Sequence, residues 1–409
     1  MSKHLHIAVI SFHSCPLGRL GGKDTGGMNV YIRELAQELS ARGHNIDIYT
    51  GAHEPAHEKV IRLAENARLI HIETGSLVET PKVAFYSYLQ NFICGIENFR
   101  NSSNTRYDLI HSHYWLSGLA GKQLQMWWHI PHIMMFHTLG AVKNAIGIGT
   151  DEPELRTESE KDLAQNCDLI VSATPREKED LVRYYNASPQ QIAVIPCGVN
   201  LDLFKPLDKE RVRAMLGLDH QKILLFVGRL DPLKGLEQLL KAFGEIAEKQ
   251  MINLIIVGGD EYSRVSTQKL NDMAAELGVQ RRVNFAGSVE QEELALYYSA
   301  ADICIIPSYY ESFGMVALES LACGTPVIAT DVGAMSKVIS HPVAGEIVKN
   351  NPPYLLASKI TKVLAANRNQ PADIESRRHL VEQYSWSSIA DMLLDKYGEL
   401  ACQNTILNC

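Results

Sequence analysis

Ile223-Leu224-Leu225-Phe226-Val227-Gly228-Arg229-Leu230-Asp231-Pro232-Leu233-Lys234-Gly235 begins as an apolar run of strand length, breaks at a glycine, and carries two cations into a turn that opens a helix. Open α/β sheets bind ligands just beyond the carboxyl ends of such buried strands. Similar runs recur downstream at Leu254–Val257, Val283–Phe285, Ile303–Ile306 and Val327–Ala329, with helical spacing between them. Upstream they recur at Ile7–Ile10, Ile46–Tyr49, Leu69–Ile72, Leu109–His111, Ile133–Phe136, Leu169–Ser172 and Ile192–Ile195. The alternation predicts an α/β protein with two Rossmann-like, doubly wound parallel sheets.

A chain of 409 residues suits two cores, and so predicts a cleft between two domains. Pro196 to Pro206 reads as an extended connector, which places one domain at 1–199 and a second at 200–373. In the first, Met28, Ile32, Leu35 and Leu39 form a helical stripe that stops at Arg42-Gly43. Residues 374–409 read as helices around Ile374–Gln383 and Ser387–Leu400 that return to the N-terminal domain, with Trp386, Ile389, Met392 and Leu393 as the apolar stripe.

Composition narrows the function. Hydrophobic residues make up 46%, charged residues 21%, and the net charge is −8, which gives no basic stripe for nucleic acid. The apolar runs fall far short of the roughly 20 residues of a membrane helix and no signal peptide precedes them, so a cytoplasmic enzyme is expected. Cys15, Cys94, Cys167, Cys197, Cys304, Cys323, Cys402 and Cys409 are scattered, without a Cys-x-x-Cys pair, and read as thiols, not as disulfides or a zinc site.

Arg229 and Lys234 in a glycine-containing turn at a helix start suit a diphosphate clamped from two sides, although the spacing also fits solvated loop cations. Glu311-Ser312-Phe313-Gly314-Met315-Val316-Ala317-Leu318-Glu319 follows another strand. Glu319 can accept both ribose hydroxyls, the amides of Gly314, Met315 and Val316 can meet phosphate or sugar oxygens, and Glu311 would face the transferred sugar. The alternative makes Glu311 a first-turn helix charge and Glu319 an ion-paired helix residue.

Gly21-Gly22-Lys23-Asp24-Thr25-Gly26-Gly27-Met28-Asn29 follows the first strand after a long excursion, and its amides allow close approach of a charged ligand. No G-x-G-x-x-G directly follows that strand, which argues against a nicotinamide dehydrogenase. Two strand ends, His111-Ser112-His113-Tyr114-Trp115 and His137-Thr138-Leu139-Gly140-Ala141-Val142-Lys143-Asn144, are polar and would open onto one cleft edge. His111 and His113 lack a third ligand at motif spacing, so no metal site is assigned.

The diphosphate turn, the Glu311/Glu319 pair, the glycine loop and the His137 segment, in this order, resemble the retaining glycosyltransferases of family 4 with the GT-B architecture. Within that family Asp24–Tyr31, Tyr107–Gly118 and His137–Asn144 are most similar to the branch that uses inositol 3-phosphate in mycothiol synthesis, and next to the sucrose-phosphate synthases. The resemblance implies that Arg229 and Lys234 hold the donor diphosphate, Glu319 the ribose, and Glu311 with Gly314, Met315 and Val316 the donor sugar. It further implies phosphate approach at Gly26 and Gly27, and His137 near the anomeric carbon. An acceptor-phosphate site of Lys82, Tyr114, Thr138 and Arg156 is implied as well, with Arg156 heading an Arg-x-x-x-Glu stretch that ends at Glu160.

The sequence departs from that branch after Val283-Asn284-Phe285, where Ala286-Gly287-Ser288-Val289 replaces a proline-rich turn with an arginine at the expected nucleobase pocket. A UDP-sugar remains the favoured donor. The implied chemistry needs no cofactor or metal, and paired protomers are a family expectation. Transfer to fructose 6-phosphate or to a lipid-linked glycan is an alternative, as is an epimerase or phosphorylase on the same plan, or a noncatalytic nucleotide-sugar-binding subunit.

Overall fold

The computed structural model describes residues 4–18, 25–52, 58–75, 82–247, 250–260, 263–366 and 370–407. Among them, residues 4–18, 27–196 and 386–407 form one compact unit, and 25–26 with 197–385 another.

The first unit contains β1 (His6–Ile10), β2 (Asn45–Gly51), β3 (Val60–Ala64), β4 (Ala67–Ile72), β5 (Leu109–His113), β6 (His132–Met135), β7 (Leu169–Ser172) and β8 (Ile192–Val194). They form an eight-stranded sheet in the order β3-β4-β2-β1-β5-β6-β7-β8. All neighbours are parallel except β3 and β4, an antiparallel pair that departs from the purely parallel expectation. The sequence reading missed β3 because Val60-Ile61-Arg62-Leu63-Ala64 is a half-exposed edge strand interrupted by an arginine.

The second unit contains β9 (Lys222–Val227), β10 (Ile252–Val257), β11 (Val283–Gly287), β12 (Ile303–Ile306), β13 (Val327–Thr330) and β14 (Gly345–Val348), ordered β11-β10-β9-β12-β13-β14. All are parallel. Its core joins Leu224, Phe226, Leu254, Ile256, Ile303 and Ile305 to Leu239, Leu240 and Phe243 of the helix Leu236–Ala247. Strands covered on both faces favour such continuous apolar runs over alternation, which is why they stand out in the sequence. Short, half-buried Gly345-Glu346-Ile347-Val348 does not.

In both sheets one strand is flanked by neighbours whose chain connections run in opposite directions, β1 between β2 and β5 and β9 between β10 and β12. Such a reversal leaves a crevice at the carboxyl ends of the two strands.

Residues 374–409 divide between the units. Helix Pro371–Val381 packs in the second, where fully buried Arg377 donates to the carbonyls of Val343 (2.7 Å) and Gly324 (2.9 Å). Helix Trp386–Leu407 packs in the first, beside the helix Gly27–Ala41. Its buried face is Ile389, Ala390, Leu393 and Tyr397; Met392, expected on that stripe, is 40% exposed, being out of phase with the others. Arg42 fixes its first turn by donating to Asp391 Oδ1 (3.1 Å) and to the Ser387 carbonyl and hydroxyl (each 2.9 Å).

Candidate active site

In the second unit, Gly228-Arg229 leaves β9 and Pro307 to Glu311 leaves β12, so both cation turn and acidic segment lie at the strand-order reversal. The backbones are locked together: the Tyr309 amide donates to the Leu233 carbonyl (2.8 Å), and Asp231 Oδ1 accepts from the Leu233 amide (2.9 Å). Gly235 follows with φ +71, and a Cβ there would meet the Pro307 carbonyl oxygen at 1.9 Å. Only glycine permits both that φ and that approach.

The turn delivers Lys234 Nζ to within 2.7 Å of Glu311 Oε1, which also accepts from Ser308 Oγ at 2.8 Å. Arg229 stands beside Asp231, with Nη2 3.9 Å from Oδ2, and its side chain remains 37% exposed. Gly314 takes φ +100 and caps the helix Met315–Ala322, whose first amides point out of the helix start. Glu319, one turn in, is buried and accepts from the Tyr298 hydroxyl at 2.7 Å. Burial beside that carboxylate pushes the Tyr298 phenol well up, so it stays a donor. Arg229, Lys234, Glu311, Gly314 and Glu319 are thus gathered around one sheet edge; Tyr298 and Ser308 were not anticipated, because neither carries a local motif signal.

The first unit's reversal is built differently. Beyond β1 lies buried His13, and beyond β5 lies Tyr114, at φ +76, with its ring 4.2 Å from the His13 ring. The guanidinium of Arg156 lies over Tyr114, 4.9 Å from its centroid. Its Nη2 donates to the Thr138 carbonyl (3.0 Å) and hydroxyl (2.9 Å), Nε to Glu160 Oε1 (2.7 Å), and Nη1 lies 2.8 Å from Glu152 Oε2.

Arg156 is only 2% exposed, and Glu160 is fully buried, its Oε2 accepting from the Gly140 amide (2.8 Å) and the Tyr185 hydroxyl (2.5 Å). Glu152 also pairs with Lys143; burial pushes its carboxyl up, but Arg156 and Lys143 outweigh this and hold it below the usual range. Tyr114, Thr138 and Arg156 therefore meet, and Glu152, Lys143 and Tyr185 join them unannounced by spacing. Lys82 opens the short helix Lys82–Tyr88, but its side chain lies outside the described residues, as do Gly21 to Asp24. Gly26 precedes the helix Gly27–Ala41, which starts at Gly27.

The histidines differ from the sequence expectation. His111 and His113 lie inside β5, not past its end, and both are fully buried. His111 Nδ1 is 2.7 Å from the Tyr397 hydroxyl, and His113 Nδ1 is 2.8 Å from His137 Nε2. His137, just beyond β6, is half-buried at φ +60. Burial pushes His111, His132 and His137 down to about 3 and His113 well below its ordinary value, so all four are neutral.

Comparison with known proteins adds to this geometry. Residues 25–203 match the family model described as Glycosyltransferase Family 4, and residues 208–383 that described as Glycosyl transferases group 1. The chain is 38% identical to a D-inositol 3-phosphate glycosyltransferase of Corynebacterium diphtheriae, covering 97% of this chain and 95% of that protein. It is 36% identical to the protein of the same name from Corynebacterium glutamicum, covering 98% of each. A solved sucrose-phosphate synthase from Thermosynechococcus elongatus superposes with a TM-score of 0.90 at 33% identity, over 98% of this chain and 100% of that one. With two Rossmann-like units of GT-B type, each carrying its polar groups at a strand-order reversal, this enzyme belongs to the glycosyltransferases of group 1 and family 4.

Proposed function

We propose that the enzyme is a retaining, metal-independent transferase of the cytoplasm. It moves a hexose or N-acetylhexosamine from a nucleotide diphosphate sugar, UDP-linked in the favoured case, to a small phosphorylated polyol such as inositol 3-phosphate. The observation that carries the donor half is the meeting of Lys234 and Glu311 at 2.7 Å at the β9/β12 reversal, from positions 77 residues apart. A cation held at a strand end beside a helix start is suited to a diphosphate leaving group, whose developing charge it stabilises without reorganising. Relatives 36–38% identical and named for D-inositol 3-phosphate support the acceptor.

In this reading Arg229 and Lys234 hold the diphosphate, Glu311 and the amides of Gly314, Met315 and Val316 hold the sugar, and Glu319 accepts from the ribose. Gly26 and Gly27 admit phosphate to the backbone. Tyr114 and Thr138 contact the acceptor phosphate together with Lys82, while Arg156 positions both Tyr114 and Thr138 and offers its remaining Nη1 hydrogen. His137 lies near the anomeric carbon. Retention then proceeds by front-side attack, the acceptor hydroxyl passing its proton to the leaving phosphate oxygen as the new glycosidic bond forms. A second reading, transfer to fructose 6-phosphate, is favoured by the similarity to the sucrose-phosphate synthase.

Mass spectrometry of mixtures of UDP-N-acetylglucosamine, UDP-glucose, ADP-glucose or GDP-mannose with inositol 3-phosphate, fructose 6-phosphate or their unphosphorylated forms tests both halves. A phosphorylated glycoside from a UDP-sugar, undiminished by EDTA and with the donor's anomeric configuration by NMR, is the expected product. Transfer only to unphosphorylated acceptors discards the acceptor site, and no transfer from any donor discards the function.

A further inference from the structure

His113 closes β5 fully buried, its ring enclosed by the rings of His111 (centroids 4.3 Å apart), Tyr31 (5.6 Å) and His137 (5.1 Å). Its Nδ1 faces His137 Nε2 at 2.8 Å, whereas its Nε2 is buried with no partner among the described residues. Two neutral imidazoles joined by one hydrogen bond share a single bridging proton, and there are two ways to place it. If His137 Nε2–H donates, His113 must carry its own proton on Nε2, leaving a buried N–H aimed at no acceptor. If His113 Nδ1–H donates, the orphaned Nε2 is only an unfilled lone pair. Folded proteins leave buried N–H donors unpaired less often than acceptors, so the second arrangement is favoured.

It follows that the His137 proton lies on Nδ1, the ring nitrogen that does not face His113. The backbone around His137 is constrained to match: φ +60 at a histidine is the left-handed region, a strain that persists where surrounding structure fixes it. Tyr31 packs against the His137 ring in a T-shaped contact, ring centroids 5.5 Å apart.

We propose that His113 is a positioning residue that fixes His137 as its Nδ1–H tautomer, so that His137 presents a hydrogen-bond donor, not a base, to a substrate oxygen. The oxygen's identity rests on the transfer reading above, whereas the tautomer does not. A sugar hydroxyl or phosphate oxygen is the matching class, since either accepts from a neutral N–H.

Long-range 1H–15N correlation of the full chain labelled with 15N-histidine, at neutral pH, reads the tautomer directly. The His137 signals are identified by their loss in His137→Asn. The expected pattern is a protonated Nδ1 and an unprotonated Nε2 at His137; a protonated Nε2 overturns the proposal, whatever the enzyme transfers. Turnover gives the second readout. His113→Leu removes the donor and is expected to lower kcat about tenfold with both KM values little changed, while His113→Asn, whose amide N–H replaces Nδ1–H, recovers most of that loss. Equal kcat in the two variants overturns the positioning role, and the wild-type spectrum decides the tautomer even if His113→Leu fails to fold.

Discussion

The two strand-order reversals solve the same problem with different materials. In the second unit, Gly228, Gly235 and Gly314 take positive φ and shape the backbone at the sheet edge, and the ionic groups Arg229, Lys234 and Glu311 remain partly exposed. In the first, buried side chains hold one another: Arg156 between Glu160 and Glu152, Tyr114 between Arg156 and His13, and His137 against His113. Exposed cations can be lost with little effect on folding, because water already solvates them. Buried ones cannot, since removing one partner strands the other away from water. Chemistry and stability should therefore separate in the second unit and coincide in the first.

The largest test of that contrast is Arg156→Ala, which strands fully buried Glu160 and is expected to cost about 3–5 kcal/mol of stability. Trp115, Trp127, Trp128 and Trp386 all lie in the first unit, so urea unfolding followed by tryptophan fluorescence reads this unit alone. A loss under about 1 kcal/mol accompanied by a raised acceptor KM would make Arg156 a ligand and not a scaffold.

Acid should also strike the first unit. His111, His132 and His137 fall to about 3 in the folded state and His113 is lowered too, so below 6.5 the unfolded chain binds more protons and stability drops as pH falls. At pH 5.5 an imidazole that the fold keeps neutral removes about 1.4 kcal/mol relative to a pH well above 6.5. Glu177 works in the opposite sense: burial raises it to about 7, so its contribution is fully present below 4.5 and is lost as pH rises through 7. A net loss of about 3 kcal/mol between pH 7 and 5.5 is expected by the same fluorescence readout, and a flat profile would show that the histidines are not neutral in the fold.

Lys234→Ala comes next, lowering transfer at least about 100-fold while the unfolding midpoint moves little. Comparable losses of turnover and stability would make its pair with Glu311 a structural one. Smallest is Tyr298→Phe, which removes one hydrogen bond to Glu319; the donor KM should rise about fivefold with the acceptor KM unchanged. If both KM values rise together, Glu319 does not act on the donor alone.

This contrast also explains what could be read from the sequence. The strands β9, β10, β12 and β13 are continuous apolar runs, and the glycines and cations after β9 sit within a few residues of one another, so local spacing exposes them. Arg156 and Glu160 were legible as an i, i+4 pair, but Glu152, Tyr185 and His13 join them only through long-range packing. His111 and His113 were seen and misplaced, because a polar residue in a strand looks like the strand's end when its burial depends on a helix that arrives much later in the chain. Half-exposed edges such as β3 and β14 escaped for lack of an apolar run.

That late helix bears on how the protein is made. Tyr397 covers His111, Trp386 meets Tyr31, and Ile389, Ala390 and Leu393 are fully buried, yet all of them follow the whole second unit in the chain. During vectorial synthesis the first unit starts to emerge from the ribosome ahead of the second but lacks part of its core until the second has been translated. Until the helix Trp386–Leu407 follows the second unit out of the ribosome, the first unit keeps an open hydrophobic seam along Tyr31 and β5, and that helix closes it.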